Sequence, residues 1–83
     1  MRKDYKLYKF TFIINVDNLS KVIHGKFFAL DIDDICNKLP NVILKYICSQ
    51  IVSHIRQIRV FDKNNQIAYF TNWEDLKYYS TIA

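Results

Sequence analysis

Four groups of residues in this chain of 83 carry side chains able to do chemistry. Asp31-Ile32-Asp33-Asp34 follows the apolar run Phe27-Phe28-Ala29-Leu30. A strand ending in Asp-x-Asp is one way to hold magnesium, because hard cations favour carboxylate oxygens. Enzymes built that way need further loops and a far longer chain. Acids gathered at a helix start, where they favour the helix dipole, account for the same residues. His24, Cys36, Cys48 and His54 are zinc-type ligands, but 11, 11 and 5 residues separate them. Structural zinc sites use closely spaced pairs. Ser53 adjoins His54, yet neighbouring helix positions do not face each other, and a nucleophile needs a base within reach. The single glycine, Gly25, leaves no Gly-rich phosphate loop. The expectation is a protein with no catalytic group, no metal and no cofactor.

The fourth group is basic and aromatic. Arg56, Arg59 and Lys63 run along one apolar strand, with Phe61, Tyr69 and Phe70 close in sequence. Positive grooves with aromatic platforms bind single-stranded nucleic acid, because every base has a face to stack. Strict alternation puts Arg59, Phe61 and Lys63 on one face and Arg56 on the other. It also puts Phe61 and Phe70 together, away from Ile58, Val60 and Tyr69. Lys9, Arg56, Arg59, Phe61, Lys63 and Phe70 are therefore the candidate partner-binding residues. Strand aromatics more often pack a core than form a platform.

These side chains need elements to hold them. Tyr8, Phe10, Phe12, Ile14 and Val16 alternate with Lys9, Thr11, Ile13 and Asn15, which predicts a half-buried strand over 6–16. Asp17-Asn18-Leu19-Ser20 is turn chemistry, and a second strand over 21–30 completes an antiparallel hairpin. Asp31 or Asp33 caps a helix. Ile32, Ile35, Cys36 and Leu39 form one stripe, and Leu44, Ile47, Cys48, Ile51 and Ile55 another, about 120° away at about 100° per residue. One straight helix cannot turn both to a core. Pro40 lies between them, so a short helix over 32–38, a break near Leu39-Pro40 and a main helix over 41–54 are expected. A second hairpin follows, with strands over 56–62 and 66–71. A turn at Asn64-Asn65 would set Val60 against Tyr69, and a longer turn would set it against Ala68 or Phe70. Because both faces are apolar, the register stays open. Asn72 caps a terminal helix over 73–79.

The order ββαββα predicts one α+β domain spanning 1–83. Its four-stranded antiparallel sheet would carry the Pro-broken helix on one face. Phe10, Phe12, Ile14, Val16, Ile47, Ile51 and Ile55 would form the core. Apolar residues at 51 % and aromatics at 16 % are enough to fill a small core and argue for order from about Tyr5 to Tyr79.

The net charge of +4 excludes an acidic mimic of DNA and favours an anionic partner. The start, MRKDYKLYK, has no signal-peptide run, and no stretch approaches the roughly 20 apolar residues of a membrane span. A cytoplasmic protein with reduced Cys36 and Cys48 is expected. Nearly half the residues are Ile, Asn, Lys, Tyr or Phe, as in AT-rich coding. Small size and AT-rich coding suit a phage or mobile-element accessory protein. Such a protein would dock on a larger protein or nucleoprotein machine and inhibit or modify it, as host-defence inhibitors such as anti-CRISPR proteins do. Direct nucleic-acid binding through the sheet face is the alternative. Homodimerisation through an uncovered face is a third use of the same surface.

Overall fold

The computed structural model describes residues 4–82. Its elements run β1 (Lys6–Val16), β2 (Leu19–Ala29), α1 (Ile32–Ile43), β3 (Ile55–Asp62), β4 (Asn65–Asn72) and α2 (Trp73–Ile82), with a 3₁₀ segment at Ser49–His54 before β3. The four strands make one antiparallel sheet in the order β2-β1-β3-β4. This is the expected α+β architecture in the expected order.

Alternation in β1 does what its pattern promised. Tyr8, Phe10, Phe12 and Ile14 are buried, while Lys9 and Asn15 are exposed. The β1–β2 turn is tighter than expected. Only Asp17 and Asn18 form it, at φ 50° and 66°, so β2 starts at Leu19 rather than at 21. Positive φ at both central residues is the hairpin geometry that follows strand twist, and Asp and Asn tolerate it.

Both helices begin on the same device. Asp31 accepts a hydrogen bond from the Asp34 N–H at 2.9 Å, and Asp34 accepts one from the Leu30 N–H at 2.8 Å. At α2, Asn72 accepts from the Asp75 N–H at 2.8 Å, and Asp75 from the Thr71 N–H at 2.9 Å. Backbone donors left over at a helix start are thereby satisfied. The same short acids reach back to the strand before the helix and fix the angle between them.

The region 32–54 is broken, but not at Pro40. The helix runs through Pro40, which is buried in its last turns, and ends at Ile43. Ile35, Leu39 and Ile43 then form one fully buried stripe at i, i+4 spacing. The chain leaves the helix at 44–48, and no α-helix spans 41–54. Tyr46 lies in this departing segment. Its ring meets the Phe10 ring edge-on at 5.4 Å. Phe10 stands opposite Gly25 across the β1–β2 ladder, in the space a side chain at position 25 would take. Glycine opens a gap in the sheet, Phe10 fills it, and the half-exposed Tyr46 ring, off the helical path, packs on Phe10 there.

Ile14, Phe12, Phe10 and Ile55 sit in the core as expected, while Val16, Ile47 and Ile51 only pack against its rim. Tyr8, Phe27, Ala29, Ile35, Leu39, Ile43, Ile58, Val60, Phe70 and Leu76 complete it. Fully burying an aliphatic or Phe side chain stabilises the fold by about 1.5–3 kcal/mol. Both helices take part in that core, so they share one side of the sheet.

Candidate functional site: an open cationic sheet face

The side of the sheet away from the helices is uncovered, and the registers decide what it displays. Paired residues in an antiparallel ladder point to the same side. Lys9 pairs with Lys26 in β2 and with Phe61 in β3. Thr11 pairs with His24 and with Arg59, and Arg59 pairs with Tyr69 in β4. Ile13 pairs with Val22 and with Arg56. The open face therefore carries three rows: Lys26-Lys9-Phe61, then His24-Thr11-Arg59-Tyr69, then Val22-Ile13-Arg56. Leu7 and Phe28 form a fourth, apolar row at one end.

Arg56 was expected on the opposite face from Arg59, and an irregularity overturns that. The β1–β3 register shifts between Thr11 and Ile13, and Gln57 sits there at φ 55°. One extra residue in β3 faces one residue of β1, which is a β-bulge. It lets Ile55 and Ile58 both point inward and Arg56 and Arg59 both outward. The Arg56 guanidinium bends onto the Ser53 and Ile55 carbonyls at 2.9 and 2.8 Å.

Phe70 leaves the candidate set altogether. The turn uses Lys63 and Asn64 rather than Asn64 and Asn65, with Lys63 at φ 59°. A second shift, between Val60 and Phe61, then sets Val60 against Ala68 and Ile58 against Phe70. Phe70 is 4 % exposed and packs on Tyr79, so it belongs to the core, and Tyr69 takes its place on the open face. Lys63 stands in the turn and lines a groove of about 490 Å³ with Lys6, Leu7, Lys9 and Asp62, at the end of the face. Lys9, Arg59 and Phe61 are brought together as expected.

Bases occur on both sides of the sheet, but the acids do not. No Asp or Glu among the described residues occupies a strand position on the open face. The acids are used elsewhere: Asp31, Asp34 and Asp75 hold helix starts, Asp17 forms a turn, and Asp62 pairs with Lys6 at 2.9 Å. That bond and its charge hold the Lys6 ammonium above its usual pKa. Lys9 and Lys26 instead face each other directly, and like charges directly opposite are unfavourable. Between them, a shallow depression of about 270 Å³ is lined by Lys9, Thr11, His24, Lys26 and Phe61. Arg59 lies over the Tyr69 ring at 5.4 Å, and Phe28 is 61 % exposed.

Lys26, His24, Tyr69 and Phe28 lie outside the candidate binding set read from the sequence, although Tyr69 was noted beside it and His24 as a possible metal ligand. The signal for Lys26 was present: a two-residue turn at Asp17-Asn18 pairs Lys9 with Lys26 by counting alone.

Among the described residues, no three His, Cys, Asp or Glu side chains gather where they could hold a metal ion. Cys36 and Cys48 are both free thiols. Burial raises the Cys36 pKa, with a smaller push from Asp33. No helix among the described residues is long and apolar enough to cross a membrane. No protein-family model, curated protein or solved structure matches this chain.

Proposed function

We propose that this protein is a non-catalytic binding module that docks, through the open face of its sheet, on an acidic surface of a larger protein or nucleoprotein machine and blocks or modifies it. The observation that carries the reading is an open face on which no described strand position is acidic, with Lys9, Lys26 and Arg59 among exposed apolar and aromatic side chains. The Lys9–Lys26 pair costs the free protein stability, and an anionic partner removes that cost. Apolar side chains around a charged centre supply the area that a lasting contact needs. AT-rich coding and small size support a phage or mobile-element origin and an inhibitory role.

Direct binding of single-stranded nucleic acid is the second reading. The Arg59–Tyr69 stack and the exposed Phe28 favour it, since bases stack on such platforms. One experiment tests both. Wild-type protein and a Lys9→Glu/Lys26→Glu variant are used as baits in host lysate, with and without nuclease. Under the first reading, a protein is retained in both treatments and lost with the variant. Retention that the charge reversal does not change overturns the use of this face. Retention that nuclease abolishes replaces the first reading by the second. Binding to purified oligonucleotides would then fall steeply with salt, because released counterions drive it.

A further inference from the structure

We propose that the outer edge of β2 pairs antiparallel with β2 of a second copy of this chain, making one sheet of eight strands. The argument starts from the two edges of the sheet, β2 and β4. Strand edges invite pairing unless they are short, bulged, charged or covered. The β4 edge is eight residues long and is interrupted near Ile67, where the β3–β4 register shifts. The β2 edge is eleven residues long, has no proline and carries two lysines, Lys21 and Lys26, over that length. Its register with β1 runs without a shift from Lys6–Ala29 to Val16–Leu19.

Hairpin geometry says which groups are free. In a two-residue hairpin the closing pair, here Val16 and Leu19, exchanges both hydrogen bonds. Alternate pairs repeat this, so the odd-numbered residues of β2 bond to β1. The N–H and C=O groups of Ser20, Val22, His24, Lys26 and Phe28 then point away from the sheet.

Symmetry selects the partner and the register. The middle residue of Leu19–Ala29 is His24. An antiparallel pairing centred on His24 overlaps the two strands completely. It also sets free groups against free groups, because even-numbered residues meet even-numbered residues. Lys26 then faces the second copy's Val22, Lys21 faces its Phe27, and Ser20 faces its Phe28. No lysine stands opposite a lysine. Phe28 and Val22, 61 % and 51 % exposed in the single chain, become diagonal neighbours across the new ladder, within reach of each other. This pairing does not depend on the docking reading, but it extends the docking surface. The row His24-Thr11-Arg59-Tyr69 continues through the axis into its own copy, so two cationic faces merge.

The test is the mass of the purified full-length protein by light scattering and sedimentation over a range of concentrations, with no partner added. The expected result is a concentration-dependent species of twice the 10.0 kDa chain. A monomer at every concentration overturns the proposal. His24→Pro removes the central edge N–H without touching a β1–β2 bond, and prolines are tolerated at such positions. It should weaken the dimer at least about tenfold while the circular dichroism stays native. A dimer of unchanged strength overturns the β2 interface. His24→Cys, in a chain with Cys36→Ser and Cys48→Ser, covers the case in which the proline variant does not fold. The pairing brings the two residues within disulfide reach, at about 5.5 Å between Cα atoms. Mild oxidation should therefore give a covalent dimer, and failure to cross-link overturns the register.

Discussion

The two hairpins solve the same problem by opposite means. In β1–β2, eleven residues pair with eleven, no register shifts, and the apolar face follows from alternation alone. In β3–β4, two strands of eight residues pair around two irregularities, one at Gln57 toward β1 and one near Ile67. The first hairpin keeps its sequence in phase with the core. The second is out of phase and uses bulges to correct it. Without the extra residue at Gln57, Ile55 and Ile58 could not both be inside, nor Arg56 and Arg59 both outside. A bulge is thus a way to write a cationic face onto a strand whose spacing does not provide one.

The largest expected effect separates the hairpins by deletion. Removing Thr11 from the regular strand throws Tyr8 and Phe10 to the open face and brings Leu7 and Lys9 inward. That variant should lose cooperative urea unfolding altogether. Removing Ile67 deletes the residue the alternation does not use, and that variant should still unfold in one transition. If both deletions behave alike, phase is not what distinguishes the hairpins.

Gly25→Ala probes the one close approach in the regular hairpin. A methyl group there enters the space of the Phe10 ring and comes to 2.8 Å from the Tyr46 ring. Overpacking of this kind typically costs about 1–3 kcal/mol. The loss should be visible as a lower urea midpoint at unchanged slope.

A smaller effect of opposite sign is expected in β3. Gln57 holds a left-handed conformation that favours glycine, so Gln57→Gly should raise stability by up to about 1 kcal/mol. The same change at Thr11, in extended backbone, should lower it by roughly 0.5–1 kcal/mol. Paired thermal melts decide this. A loss at Gln57 would mean that its side chain contributes more than its backbone costs.

What could be read from residues alone follows the same division. β1 was legible because polar and apolar residues alternate from Tyr8 to Val16, and both helix caps because Asp31 and Asn72 carry side chains suited to the position. The region 41–54 was not. Its stripe fits a helix, but Tyr46 packs at a gap left by Gly25, more than twenty positions away in sequence. Pro40 drew attention as a breaker, yet the helix accommodates it and ends just beyond. In the candidate site, Lys9, Arg59 and Phe61 were placed together correctly, because Arg59 and Phe61 lie on the same side of the bulge. Arg56 lies beyond it, and Phe70 depends on a register that two apolar faces left open. A bulge has no strong signature when glutamine rather than glycine occupies it.

Strand β1 precedes the other three strands in the chain and ends at the centre of the sheet, between β2 and β3. Its hairpin with β2 is local and closes within microseconds. Its other neighbour, β3, begins only at Ile55. Until that segment emerges, a nascent chain displays Tyr8, Phe10, Phe12 and Ile14 beside an unpaired β1 edge. The closure of β1 against β3 is the long-range pairing of this sheet, the kind of contact that slows folding. Pausing translation before Ile55 would prolong the interval in which this chain needs a chaperone.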